Sequence, residues 1–440
     1  MAIDHASHPT ELDYASHPME TDYAIHPTEL VTPGQINRDV GIKELREAIP
    51  PHCFKQSYLT SLSYLLGDLV LAGTITGIGF VFIPQIEPTL LRNVAWAAYG
   101  FVQGLAFVGL WMLGHECGHG AFSPSNGLNN TVGFILHSLL LTPYFSWRST
   151  HRRHHIYANN LLKDHNYVPP LHEQYMSRLL FKSERLEELT EDSPLVTVLR
   201  LTLRHALGFP RYLCTNISAG EGSFPNPKST VPFGNSHFAP TGSLFRSEEA
   251  RFIALSDLGL ALMIAALWFA SSKLGFSTVA LLYVQPYVWL NHWIICITFL
   301  HHTHPSLPKF EDEAWTFMKG AMATVDRDFG WVGKYLFHGI IEFHVVHHLF
   351  PRMPFYHAEE ATKAIIPLLG STYHADKQRA YLPGLWEAFT KCEWVEPDNA
   401  AVQPKDRTMW YRSRPSAPKT SVGTKGWTAW TSSLIIGGKD

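Results

Sequence analysis

The chain has 440 residues, of which 13% are aromatic and only 17% are charged, whereas about a quarter of the residues in soluble domains are charged. This composition favours a membrane protein. A formal net charge of −3 leaves no basic surplus, which argues against a nucleic-acid partner. The 25 histidines exceed what an ordinary surface or core needs. The five cysteines lack CxxC spacing, which argues against a disulfide framework or a thiolate zinc site.

Residues 1–40 are polar and contain a nine-residue repeat with His-Pro steps at His8, His17 and His26. Acidic repeats interrupted by proline are typical of disordered segments, so we predict a disordered N-terminal tail; metal binding by its histidines is the alternative. The tail has no basic stretch followed by an apolar one, so we expect no cleavable signal peptide. Membrane insertion would then depend on internal helices.

Four stretches are apolar over about 20 residues, the length that crosses a bilayer: 62–83, 93–113, 252–274 and 278–300. Short turns without Lys or Arg pair them into two hairpins. The segment between the hairpins carries basic residues, which makes it cytosolic by the positive-inside rule. These residues are Arg148, Arg152, Arg153, Lys163, Arg178, Lys182 and Arg185. A soluble bundle of four buried helices is the weaker alternative, because the stretches lack regular polar faces.

Three histidine clusters have helical spacing. They are His115 and His119; His151, His154 and His155; and His344, His347 and His348. Residues at i, i+3 and i+4 project from one helix face, so each cluster can direct two or three imidazoles at one point. Eight nitrogen ligands are too many for one first-row metal ion, but they suit two ions, and imidazole suits iron. Chance is the alternative explanation for any single cluster. It is a much weaker explanation for three such clusters in one chain.

The predicted spans place all three clusters on one side of the membrane. The first cluster follows the second span, the second lies in the same loop, and the third follows the fourth span. Two spans separate the second and third clusters, so one shared site is possible. We therefore predict an all-α integral membrane fold of four transmembrane helices in two hairpins, with a cytosolic helical cap that holds a histidine-ligated di-iron site.

Two histidine motifs allow further interpretations. The first cluster, His115-Glu-Cys-Gly-His119, also matches the His-Glu-x-x-His signature of zinc hydrolases, but that alternative leaves the other clusters without a purpose. After the fourth predicted span, His301, His302 and His304 follow one another closely. We predict His304 as a ninth metal ligand, and we expect His301 and His302 to form hydrogen bonds at the interface.

At these motifs the chain resembles the membrane-bound acyl-lipid desaturases of the oleate Δ12 and omega-3 type, particularly the fungal ones. The resemblance extends over residues 42–373 and is carried by residues 115–123, 143–147, 303–308, 323–328 and 344–348. It implies that the eight histidines of the three clusters bind iron, with His304 at the position of a further family histidine. Residues 349–352 differ from the serine and threonine more common in oleate desaturases, so Δ12 and omega-3 regioselectivity both stay open.

The resemblance implies a desaturase membrane domain at 41–400 and a C-terminal cytosolic tail at 401–440. It also implies a multi-pass protein of the endoplasmic reticulum, with both termini and the active site cytosolic. The expected cofactors are two iron ions (Fe2+/Fe3+), with O2 as co-substrate. The expected partners are a fatty acyl lipid, membrane lipids, and cytochrome b5 with its NADH-dependent reductase as electron donors. No fused cytochrome b5 domain is evident in the sequence.

The expected reaction is insertion of a cis double bond at Δ12 of oleate, with omega-3 (Δ15) desaturation as a further activity. An unactivated methylene group has no acidic proton, so an oxidant held by metal is needed. Related enzymes that use the same ligands act as hydroxylases, acetylenases or conjugases, and these remain alternatives. A membrane zinc hydrolase and a membrane receptor or scaffold without chemistry are the alternatives from other classes.

Overall fold

The computed structural model describes residues 40–177, 193–398 and 403–414. The predicted N-terminal repeat, with His8, His17 and His26, lies outside the described residues. So do three of the basic residues used to orient the chain, Arg178, Lys182 and Arg185, and the end of the predicted C-terminal tail.

The described chain is mostly helical. Its α-helices are α1 (Ile42–Ala48), α2 (Tyr58–Phe82), α3 (Thr89–His119), α4 (Asn126–Leu139), α5 (Tyr144–Tyr157), α6 (His172–Ser177), α7 (Pro194–Thr215), α8 (Ala250–Leu274), α9 (Phe276–Val279), α10 (Gln285–His302), α11 (Phe317–Met322), α12 (His344–Leu349), α13 (Ala358–Leu369) and α14 (Tyr381–Lys391). Short 3₁₀ turns include Pro51–Phe54, Ser247–Glu249 and Phe355–His357, and π turns lie at Ala280–Val284 and Val332–Leu336.

In the described residues, five short strands form two small sheets, which the all-α prediction missed. The strands are β1 (Pro308–Phe310), β2 (Asp326–Arg327), β3 (Ala375–Asp376), β4 (Trp394–Pro397) and β5 (Thr408–Arg412). β5 pairs antiparallel with β1 and β4, with Lys309 opposite Met409 and Val395 opposite Tyr411. β5 lies within residues 401–440, which the sequence predicts as a C-terminal tail, and it pairs with strands of the preceding domain. Strands of two to five residues are too short to give a periodic signal in the sequence.

Three helices of the described chain are long and apolar enough to cross a membrane: Tyr58–Gln85, Thr89–His119 and Ser247–Leu274. They contain the first three predicted spans. The fourth predicted span is instead divided into α9, the π turn Ala280–Val284 and α10. Apolar side chains of α2 and α8 face outward, and Trp268 is 79% exposed. An outward apolar surface of this kind suits lipid better than water.

Helix α3 lies at the centre of the fold and packs against α2, α4 and α10. Glycines allow α10 to approach α3 closely, because a Cβ atom on Gly104 would lie 2.4 Å from the Cβ atom of Trp289. Small residues at helix contacts are typical of membrane bundles. Gly120, with a φ of 71°, ends α3 directly after His119, as expected of a left-handed C-terminal cap.

The ends of four long helices meet at one end of the bundle. α3 ends at His119 and α10 ends at His302. At the start of α2, the Ser57 amide donates to the hydroxyl of Tyr356, which follows α12 in the chain. At the start of α8, Glu249 accepts a hydrogen bond from Ser149 of α5. The chain therefore enters and leaves both helix pairs on the side where the histidines gather.

Candidate metal centre

All three histidine clusters lie on α-helices, as their spacing predicts. His115 and His119 form the last turn of α3, the second cluster lies in the last two turns of α5, and α12 carries the third. The start of α12 is fixed by Asp326, whose Oδ1 atom accepts a hydrogen bond from the Val345 amide at 2.8 Å. Each helix therefore presents its imidazoles from a fixed backbone.

The first group contains five histidines from all three clusters: His115, His119, His151, His155 and His347. One ring nitrogen of each lies within 4.8 Å of the others. The Nε2 atom of His115 lies 2.9 Å from that of His151 and 3.3 Å from that of His119. Five nitrogen atoms this close, without an intervening carboxylate, form a donor set suited to a transition metal ion.

The second group contains His154, His302 and His348. The Nε2 atom of His302 lies 3.3 Å from that of His154 and 3.4 Å from that of His344, which brings His344 to the same place. The two groups adjoin, because the rings of His155 and His348 stack with centroids 4.1 Å apart. The fold thus gathers all eight histidines of the three clusters together with His302.

The structure does not place the predicted ninth ligand, His304, with this set. α10 ends at His302, and Thr303 is extended (φ −132°, ψ 104°), which turns the next side chain away. The Nδ1 atom of His304 lies 2.6 Å from the Ser306 hydroxyl, and its Nε2 atom lies 3.6 Å from Asp376. His302, expected only to form hydrogen bonds at the interface, occupies the position assigned to His304. His301 behaves as expected, because its Nδ1 atom lies 2.7 Å from the Val325 carbonyl.

The unsatisfied polar atoms of the site fit metal binding. Of the described residues, His347 Nε2 and both ring nitrogens of His348 are buried without a hydrogen-bond partner. Such atoms are costly to bury unless something satisfies them. The Nε2 atoms of His115, His119 and His151 cannot satisfy one another fully, because a neutral imidazole has one donor and one acceptor. Metal ions bound in the two groups would each take up the lone pair that these neutral rings offer.

Burial also sets the protonation state. Desolvation by burial, reinforced by neighbouring imidazoles, holds the pKa of His151, His155, His347 and His348 well below its ordinary value. Desolvation and the adjacent His301 do the same for His344. These rings are neutral at physiological pH, which is the form that binds metal.

Residues behind the histidines hold them in place, and the sequence analysis did not identify these residues. Asp164 Oδ1 lies 2.7 Å from Nδ1 of His154, and both side chains are buried. A hydrogen bond at Nδ1 leaves Nε2 free for a metal, a common arrangement at metal sites. Buried Lys309 donates to the His302 carbonyl at 2.8 Å and to the Asn159 side chain. Burial lowers the pKa of Lys309 to about 8.

Asp326 supports the third cluster in a similar way. Its second oxygen accepts a hydrogen bond of 2.6 Å from the Tyr373 hydroxyl. Burial raises the pKa of Asp326 to about 6 in spite of these bonds. Asp326 belongs to the motif 323–328 that carries the family resemblance in the sequence. Only the fold brings its carboxylate to the start of α12.

A cavity of about 200 Å³ opens beside the first group. It is lined by Trp111, Trp147, His115 and His151, and by apolar side chains of α10 such as Ile294. Pockets with mostly apolar walls and a few converging polar groups are typical small-molecule sites. This cavity would admit an apolar chain and bring it to the histidines.

Comparison with known proteins agrees with this arrangement. The family model described as fatty acid desaturase matches residues 94–380. A Δ(12) fatty acid desaturase of Mortierella alpina is 40% identical over 370 residues, covering 82% of this chain and 89% of the relative. An oleate hydroxylase of Claviceps purpurea is 40% identical over 399 residues, covering 88% and 83%. An omega-6 fatty acid desaturase, endoplasmic reticulum, of Brassica juncea is 38% identical over 373 residues, covering 85% and 91%.

Proposed function

Because the chain belongs to the fatty acid desaturase family, we propose that it converts an oleoyl chain to a linoleoyl chain by forming a cis double bond at Δ12, with omega-3 desaturation as a further activity. The chain is an oxidoreductase of lipid metabolism. The observation that carries the proposal is the convergence of nine histidines beside an apolar cavity.

The histidines would hold two iron ions, with O2 as co-substrate. One ion would lie among the five histidines of the first group. The other would lie among His154, His302, His344 and His348. The chemistry that such a pair of ions supplies when bound is activation of dioxygen to remove hydrogen from an unactivated methylene group, which no side-chain acid or base can do.

The chain's own residues position the substrate and the ligands. The cavity beside Trp111 and Trp147 would bind the acyl chain and exclude water from the reacting carbons. Fixing the methylene group next to the histidines replaces a random encounter with an oriented one. Asp164 holds His154 in the tautomer that offers Nε2 inward, so the second group is preorganised before any ion binds.

Hydroxylation of the same position is the second candidate. The relatives named as oleate hydroxylases are as similar to this chain as those named as Δ12 desaturases, at 39–40% and 38–40% identity. Both activities would use the same ligands and the same cavity. Only the product distinguishes them.

A zinc hydrolase fits the site poorly. Catalytic zinc sites use three protein ligands and keep one position open, whereas the first group alone offers five nitrogens. In the His-Glu-x-x-His signature, the glutamate acts on water at the metal. Here Glu116 Oε1 lies 3.1 Å from Nδ1 of His115, whereas Nε2 of that ring faces the histidine group.

The proposed setting is the endoplasmic reticulum membrane, with four spans in two hairpins and both termini cytosolic. The pairing of helix ends at the histidine side supports this topology, as do the three apolar helices of the described residues. The Brassica juncea relative, named as an endoplasmic reticulum desaturase, supports the location. Electrons would come from cytochrome b5 and its NADH-dependent reductase. The histidine centre would then face the compartment that holds these donors.

The test is the fatty-acid profile of yeast that makes no polyunsaturated acids and expresses this chain. New linoleate supports Δ12 desaturation, and linolenate formed from added linoleate supports omega-3 activity. A hydroxylated product supports the second candidate instead. Gas chromatography with mass spectrometry separates all three.

His347→Ala should abolish the new product, because it removes a nitrogen ligand from the first group. The matched control is His172→Gln, which changes a half-exposed histidine beside Glu396 on the protein surface and should leave the profile unchanged. An unchanged profile with well-expressed wild type, or full activity in His347→Ala, would contradict the proposal.

A further inference from the structure

A second cluster of metal-ligand side chains lies apart from the nine histidines. His52 and Cys53 stand in the 3₁₀ turn Pro51–Phe54, before the first membrane helix. His357 and Glu360 stand at the start of α13, after the third histidine cluster. One ligand atom of each of the four lies within 4.8 Å of the others. The two pairs are about 300 positions apart in the chain, so only the fold brings them together.

The geometry is close to that of a tetrahedral zinc site. The Nε2 atom of His52 lies 2.9 Å from Glu360 Oε2 and 3.7 Å from Cys53 Sγ. Bonds of about 2.0–2.3 Å from zinc to nitrogen, oxygen and sulfur place neighbouring ligand atoms about 3.3–3.8 Å apart. The four atoms therefore need to move by no more than about 1.5 Å to share one ion.

The cluster contains more than a surface ion pair would need. His52 and Glu360 are half exposed, and such a pair alone contributes about 0–1 kcal/mol. An ion pair needs neither a buried thiol nor a second imidazole, yet both lie at its side: Cys53 is fully buried, and the rings of His52 and His357 meet edge to face at 5.4 Å. Two imidazoles, a thiol and a carboxylate together are the ligand types of zinc.

We propose that His52, Cys53, His357 and Glu360 form a structural zinc site. Cys53 belongs to an apolar cluster that also contains Ile49 from the N-terminal segment and Val345 and Val346 from α12. A zinc ion at this place joins the segment before α2 to the helix after the third histidine cluster. It binds as the thiolate forms, with release of the thiol proton.

The first experiment measures zinc in the full-length wild-type chain. The protein is purified in detergent micelles, equilibrated with Zn²⁺ and freed of excess metal, and its zinc and iron contents are measured by mass spectrometry. X-ray absorption at the zinc edge then identifies the ligands. The expected result is one zinc per chain with a single sulfur neighbour at about 2.3 Å.

The sulfur neighbour separates this site from the histidine centre. Zinc bound in place of iron would have no sulfur ligand, because the two histidine groups contain no cysteine. A spectrum with nitrogen and oxygen neighbours alone would overturn the proposal, and so would a wild-type chain that retains no zinc. Neither result depends on a variant that folds, and neither bears on desaturation, which the fatty-acid profile tests separately.

Variants provide a second test. Cys53→Ser should remove the sulfur signal and raise the zinc Kd, measured against a competing chelator, by at least about tenfold, with the iron content unchanged. His172→Gln is the matched control, because that histidine and Glu396 also form a surface pair, and it should keep the wild-type Kd. An unchanged Kd in Cys53→Ser would overturn the proposal.

Discussion

Asp164→Asn tests whether the carboxylate that is hydrogen-bonded to His154 controls metal binding. Asp164 accepts three hydrogen bonds: from His154 Nδ1 at 2.7 Å, from the Asn159 amide at 2.8 Å and from the Asn166 amide at 2.9 Å. Asparagine keeps one oxygen and adds an NH2 group, so at least one of these donors would face another donor. If that donor is His154, its ring would change tautomer and place a proton on Nε2.

The magnitude follows from the lost bond. A hydrogen bond to a charged group contributes about 1.5–3 kcal/mol, and each 1.4 kcal/mol is about tenfold in an equilibrium constant. We therefore expect iron affinity and the desaturation rate to fall by about 10–100-fold. This is the usual effect of replacing a residue that is hydrogen-bonded to a metal ligand. The assays are iron content per purified chain and linoleate formation in isolated membranes.

The control for Asp164→Asn is Asp312→Asn. Asp312 accepts hydrogen bonds of 2.9 Å from Asn160 and Lys163 close to the same loop, but from no histidine. It should keep the wild-type iron content and rate. If Asp164→Asn stays within about twofold of wild type in both assays, the carboxylate does not orient His154 as argued.

Two further predictions follow from the geometry. His302→Ala should lose iron from the second group and most activity, whereas His304→Ala should keep both; iron analysis and product yield decide this, and the reverse pattern would restore His304 as the ligand. Gly104→Ala should destabilise the protein by about 1–3 kcal/mol, because the new methyl group would lie 2.4 Å from Trp289 Cβ. Gly77→Ala is its control, with open space around the site, and equal thermal melting of the two variants in detergent would refute the packing argument.

The sequence predicted the histidine clusters because helical spacing is local. Residues three and four apart share a helix face whatever the rest of the chain does, so eight of the nine histidines could be chosen without a fold. The resemblance to the fatty acid desaturases is confirmed. Apolar length likewise located three of the helices able to cross a membrane, because hydrophobic thickness is a property of one segment.

The ninth histidine was decided by where one helix ends. His302 and His304 are both polar and both follow an apolar run, and the one local difference is that His304 precedes Pro305, which disfavours helical backbone at His304. The chain becomes extended at Thr303, which leaves His302 facing inward and turns His304 toward Asp376. Helix ends vary by one or two residues in any local prediction, and here two residues separate a histidine that faces the cluster from one that faces Asp376.

The supporting contacts depend on tertiary structure alone. Asp326 reaches the start of α12, Lys309 reaches the His302 carbonyl, and Glu360 reaches His52. The last of these contacts joins residues 308 positions apart, and no local pattern encodes a pairing at that distance. The sequence by itself therefore determined eight of the nine clustered histidines, because spacing along a helix is local. The tertiary structure decided the ninth and decided how all of them are grouped and held, because that depends on how distant segments pack.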